Sequence, residues 1–236
     1  MRTAFVALST LLIVTLFAVI FLAASGKVSD IYSETYKTAI QLLVVAVTGH
    51  VVTFLVAKLN HEREETRAKD EFRRKIIEKL NEAFVEVKRL RRLTRAANTP
   101  ETGGYPEAVE VDSYQSLMEE VNEVQLRIEI IAKEVEAFQG LFSRYIELQA
   151  NIDKMEEYLN SIINEFEHVA PVQSGSPASF SLQDLPQAAD YLGEYKGSKF
   201  RTEFIKPYYQ GLDILRSELL YAGKNYSAKR PGAGVA

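Results

Sequence analysis

The chain has 236 residues, enough for one soluble domain plus a membrane anchor. Its formal net charge of -4 gives no global basic field, so nucleic acid is an unexpected partner. It has no cysteine, which excludes disulfides, thiolate zinc sites, iron–sulfur ligation and cysteine nucleophiles together and fits a mostly cytosolic body.

Two apolar blocks come first. Residues 4–24 form a run of 21 residues without a charge. A helix of that length spans ~30 Å, the thickness of a bilayer's hydrocarbon core. A block of similar length lies at about 38–58, after a short polar loop at 25–37. Two spans and a short loop make a transmembrane hairpin. The loop's Lys27 and Lys37 are offset by Asp30 and Glu34, whereas Lys58, Arg63, Arg67, Lys69, Arg73, Arg74 and Lys75 follow the second block. The positive-inside rule then puts the loop outside and both termini in the cytoplasm, as in a multi-pass protein of the inner membrane. The alternative is a cleaved signal peptide, for which Ala23-Ala24-Ser25-Gly26 offers small residues; the apolar stretch exceeds a normal signal core, which favours retention.

The second span carries a small-residue stripe, Ala46, Gly49, Thr53 and Ala57, which lets another helix approach closely. Antiparallel pairing with the first span puts His50 near the depth of Leu12, with Thr10 and Thr15 about a turn away. An intramembrane ionisable group is a candidate proton or voltage sensor. The structural alternative is a neutral imidazole bonded to a hydroxyl across the hairpin or to a neighbouring copy. It is favoured because neither span holds a charged partner.

Residues 59–97 read as the first helix of a cytoplasmic body and as a continuation of the second span, since no Gly or Pro interrupts 51–98. Its start is solvated, with acid-before-base pairs such as Glu65–Lys69, Asp70–Arg74 and Glu71–Lys75. From Phe72 an apolar face appears: Ile76, Ile77, Leu80, Ala83, Phe84, Val87 and Leu90. The helix ends in a basic cluster, Lys88, Arg89, Arg91, Arg92 and Arg95. The structural reading is cations that complement a helix C-terminus and acids on the next helix. The functional reading is a site for phosphate, anionic lipid or nucleic acid. An upright helix would hold Lys88 ~45 Å from the bilayer, so lipid binding would need the helix to lie down.

Residues 98–112 hold two prolines and a Gly-Gly pair and read as a loop. At 113–168, every seventh residue from Leu117 is apolar or aromatic: Val124, Ile131, Phe138, Tyr145, Ile152, Leu159 and Phe166. The companion position reads Val121, Ile128, Val135, Phe142, then polar Gln149 and Glu156, then Ile163. This predicts one long helix with a coiled-coil seam, capped by Asp112 or Ser113 and bent, at most, at Gly140, because the heptad phase passes that glycine without a slip. The seam outruns the apolar face of the preceding helix, so its second half needs the C-terminal helices or a second copy. A Pro/Ser/Gly linker follows at 170–183. Helices are expected at 184–193, capped by Asp184, and at about 198–222, started or kinked by Pro207. Residues 223–236 read as a disordered tail.

No catalytic, metal or cofactor motif appears. His61 follows the membrane beside Glu64 and Glu65, and Glu165–His168 has the spacing used in di-iron bundles, but those sites need two such pairs and two further glutamates. His168 reads as a partner of the helix C-terminus. There is no phosphate-binding loop, dinucleotide glycine signature or nucleophile elbow.

The runs FVEVKRLRRLTRAA, VNEVQLRIEIIAKEVEAF and MEEYLNSIINEFE resemble a loose group of bacterial membrane-anchored helical proteins. That group joins a hairpin or single span to a Lys-x-x-Arg-Arg-x-x-Arg stretch. The resemblance covers most of 38–168 and implies no activity. The expected fold is all-α, a two-span hairpin followed by a cytoplasmic antiparallel helical bundle or coiled coil. The expected function is a non-catalytic, membrane-tethered scaffold that meets the bilayer and either self-associates or binds another helical protein, with no small-molecule substrate. The alternatives are a signalling component that uses the hairpin, and an anionic-ligand or nucleic-acid binder that uses the basic helix end.

Overall fold

The computed structural model describes residues 30–101, 103–169 and 179–228, together with Val14 and Phe21. The described chain is mostly helical, with one two-stranded sheet, and it divides into two compact units, Met1–Arg67 and Ala68–Ala236.

In the first unit, helix α1 (Asp30–Asn98) begins at Asp30, where the sequence suggests a loop up to 37. No Gly or Pro lies between Asp30 and Lys37, and Asp30 and Glu34 suit the positive end of a helix. The helix contains an 18-residue window of mean hydropathy 2.2, none of it buried. It is therefore long and apolar enough to cross a membrane. Val14 and Phe21 are helical and exposed. The rest of the expected first span lies outside the described residues.

In the second unit, the C-terminal part of α1 buries Ile76, Leu80, Ala83, Phe84, Val87 and Leu90, the face its periodicity marks out. The helix expected over 113–168 is two helices, α2 (Val111–Ala137) and α3 (Tyr145–Val169), joined by a 3-10 turn at Gln139–Leu141. They run antiparallel and close together: Gln125 donates to Glu156 at 2.8 Å, and the rings of Tyr114 and Phe166 meet at 5.3 Å. The connection from Phe138 to Arg144 is one heptad long, so the apolar count resumes in phase on the far side of a complete reversal. The seam thus folds onto itself. Leu117, Val121, Val124, Ile128, Ile131 and Val135 are buried on α2, and Leu148, Ile152, Leu159 and Ile162 on α3.

The loop after α1 and the linker after α3 each contain a strand missed by the sequence reading. β1 (Ala108–Glu110) and β2 (Ser179–Ser181) pair antiparallel, with Val109 opposite Phe180. Three-residue strands are too short to show alternation. Their buried members cover Tyr114, whose ring lies 5.7 Å from that of Phe180. Asn98 ties this corner together. Its Oδ1 accepts from the Glu110 backbone N–H and its Nδ2 donates to Thr94 O and Ser113 Oγ, so Ser113 serves that junction and caps no helix.

Helix α4 (Pro186–Leu192) takes its cap from another element, not from Asp184. The Glu165 carboxylate of α3 accepts from the backbone N–H groups of Gln187 at 2.7 Å and Ala188 at 2.9 Å. A π-helical turn (Phe200–Ile205) leads into α5 (Lys206–Ala228). Pro207 has no N–H to offer the carbonyl four residues back, which fits a wider turn just before it. Phe200, Phe204, Tyr208, Leu212 and Leu215 bury against α1 and α3. Phe84 stacks on Tyr208 at 3.8 Å, and Tyr208 donates to Asn81 at 2.6 Å. The helix continues to Ala228, through the first part of the expected tail at 223–236, and the remainder of that tail lies outside the described residues.

Candidate functional site

Of the expected intramembrane polar group, Thr10 and Thr15 lie outside the described residues. His50 is half-buried on α1, one residue past Gly49, whose carbonyl accepts a 2.8 Å hydrogen bond from Thr53. A Cβ added at Gly49 would meet nothing within 4 Å.

The basic cluster at the end of α1 separates into three roles. Arg89 is a surface ion-pair residue, bonded to Glu86 on its own helix and to Glu120 on α2. Its hydrogen bond holds the Glu86 carboxyl below the usual carboxylate range. Arg91 is buried and structural. Its Nε donates to Tyr191 O at 2.5 Å and its Nη2 to Gly193 O at 2.7 Å, which satisfies the last carbonyls of α4 with a cation. Burial, and then the neighbouring Arg95 charge, lower its pKa from the ordinary arginine value. Tyr191 completes the junction by donating to Val87 O at 2.7 Å, and burial pushes its phenol far up.

Lys88, Arg92 and Arg95 form the third group. Lys88 Nζ lies over the Phe84 ring at 5.2 Å, Arg92 is exposed, and Arg95 stacks over Tyr105 at 4.7 Å. Arg91 lies over Phe200 at 5.1 Å and over Tyr195 at 6.0 Å, and Arg201 lies over the same Tyr195 at 5.8 Å. The result is a ladder of guanidinium groups and rings running from Arg201 through Tyr195, Arg91 and Arg95 to Tyr105. Sequence periodicity gives no sign of it, because Tyr105 and Tyr195 come from loops.

Two further polar clusters are architectural. The buried Glu218 of α5 accepts from Ser143 N, Ser143 Oγ and Arg144 N, and its other oxygen pairs with Arg73 Nε at 3.1 Å. Arg73 also donates to Leu141 O at 2.5 Å. The α2–α3 reversal is thereby clamped to α1 and α5 by one buried ion pair. Asp190 accepts from the backbone N–H groups of Lys199 and Phe200 and from Tyr158 Oη at 3.1 Å. Burial, with Asp190 second, raises the Tyr158 phenol far above its ordinary value.

Glu165 caps α4, and His168 Nδ1 lies 2.6 Å from Asn164 O, so these two have separate tasks. Among the described residues, no group of three or more His, Asp or Glu side chains could hold a metal ion. The outer face of α2 carries a shallow groove lined by Leu126, Ile130, Ala137 and Phe138, with Glu129, Lys133 and Glu134 at its sides. Leu126 is 47%, Ile130 56% and Phe138 50% exposed, which leaves these large side chains half unfilled.

No protein family, curated protein or solved structure matches the chain.

Proposed function

We propose that the protein is a non-catalytic, membrane-tethered scaffold whose helical body associates with a second copy through the outer face of α2. The observation that carries this reading is that one chain holds both an exposed apolar helix of spanning length and a closed helical core with an unfilled apolar face. Residues 4–24 supply a second span, the loop before α1 faces outward, and the body lies in the cytoplasm, as the Lys/Arg distribution favours. On α2 an antiparallel two-fold pairing sets Leu126 opposite Ala137, Ile130 opposite the stem of Lys133, and Arg127 opposite Glu136. Apolar groups then meet at the centre, with opposite charges at the rim.

The test is the mass of the full chain in neutral detergent, measured by light scattering for the wild type and for Ile130→Glu. A dimer that becomes a monomer in the variant is the expected result; a monomeric wild type, or a dimer indifferent to Ile130→Glu, sinks the α2 interface. Because the chain has no cysteine, single cysteines at Gly26 and Lys154 can report sidedness to an impermeant maleimide. Gly26 should label from outside and Lys154 only after permeabilisation.

A further inference from the structure

We propose that the arginine–tyrosine ladder at the end of α1 is a binding surface for phosphate-ester anions, with Arg95 towards one end and Arg201 at the other as its principal donors. The proposal goes beyond the scaffold reading and does not depend on it. Three features carry it.

The first is pre-organisation. Arg95 is held over Tyr105, and Arg201 over Tyr195. A stacked guanidinium has lost much of its rotamer freedom before a ligand arrives and still offers N–H edges in a fork that matches two phosphate oxygens. Arg91 is fixed from below by two backbone carbonyls, so it acts as the rung that positions Tyr195 and adds charge without donating to the ligand.

The second is charge. Several cations elsewhere on this unit are matched: Lys79 with Glu134, Arg89 with Glu86 and Glu120, Arg73 with Glu218. Among the described residues, no carboxylate lies within ion-pair distance of Lys88, Arg92, Arg95 or Arg201. The acids nearest in sequence are Glu86, which is bonded to Arg89, and the exposed Glu203, Glu101 and Glu194.

The third is an orphan donor. Arg95 Nε is buried and has no hydrogen-bond partner in the protein. A buried, unmatched N–H on a charged group is costly, and an oxyanion held by the exposed edge of the same guanidinium offsets that cost. Tyr105 and Tyr195, 44% and 39% exposed, can add phenolic donors at the rim. A guanidinium group already lies over one face of Tyr105 and two lie over Tyr195, which leaves less ring for the base stacking used for single-stranded nucleic acid.

The experiment uses the full chain in nanodiscs of phosphatidylcholine, titrated calorimetrically with pyrophosphate and, separately, with dioctanoyl phosphatidic acid. Saturable binding of either probe supports the site; pyrophosphate alone identifies a soluble phosphate as the source, and phosphatidic acid alone a lipid headgroup. Arg95→Gln and Arg201→Gln should each weaken binding by about tenfold or more, the loss of one charge-assisted fork. Lys75→Gln, a surface cation paired with Glu71 within α1, should leave it unchanged. Lys in place of Arg95 keeps the charge without the fork and should recover only part of the affinity. Helicity and melting temperature are read in parallel, and Arg201→Gln, at an exposed position, decides the matter if Arg95→Gln unfolds. Absence of saturable binding overturns the proposal. So does equal weakening by Lys75→Gln and Arg95→Gln, or binding seen only with a single-stranded oligonucleotide titrated in parallel and lost steeply with salt.

Discussion

Replacing Arg91 by Ala removes two charge-assisted hydrogen bonds and leaves the Tyr191 and Gly193 carbonyls unmatched. We expect a loss of about 2–4 kcal/mol in denaturant unfolding, with Arg91→Lys recovering only part because an ammonium cannot reach both carbonyls as a fork. Two glycines differ sharply. A Cβ on Gly193 would sit 2.5 Å from the Ala189 carbonyl oxygen, whereas one on Gly140 would meet nothing within 4 Å. Gly193→Ala should therefore lower the melting temperature markedly while Gly140→Ala leaves it unchanged or slightly raised. The buried phenols give a pH signature. Tyr114, Tyr158 and Tyr191 have pKa values raised by burial, so the folded state keeps protons that the unfolded chain releases near 10. Stability is then independent of these groups below pH 10 and falls as pH rises above it, where U binds fewer protons than N. Phenolate absorbance should rise in one cooperative step together with the loss of helicity; three phenols that titrate freely before unfolding would contradict the packing.

At the scale of elements, the apolar faces of α1, α2, α3 and α5 were legible because a helix core repeats every three to four residues. What was hidden is the reversal between α2 and α3. Its connection lacks proline, holds only Gly140, and spans one heptad, so local periodicity cannot distinguish a hairpin from a rod. The clue available was polar: Gln149 and Glu156 interrupt the companion row, and Glu156 finds Gln125 across the turn. The strands and the Glu165 cap of α4 were illegible because they join residues far apart in sequence, with only three strand residues or one carboxylate each. The ladder was half legible, its arginines as a basic run and its tyrosines not at all. A direct check is the Gln125→Cys, Glu156→Cys pair. A short bifunctional maleimide should link the two within a single chain, whereas an unbroken helix would hold them ~46 Å apart.

For the whole molecule, the two units make separate predictions. A fragment beginning at Ala68 contains every buried core residue from Ile76 to Leu215. It should be soluble without detergent, helical by circular dichroism, and cooperative in melting. The full chain should stay with membranes after high-salt and alkaline washes, since its apolar segment on α1 has no cover among the described residues. Release by salt alone would mean that the segment lies on a surface instead of crossing the bilayer.

The one-heptad connection has a further consequence for assembly. Excising residues 138–144 would fuse α2 to α3 without moving any seam residue out of phase. The fused rod could no longer double back, yet each arm would still carry the complementary surface of the other. Neighbouring molecules would trade arms, and in the Ile130→Glu background gel filtration of the excised fragment should return an intertwined dimer where the intact fragment's hairpin closes within one molecule.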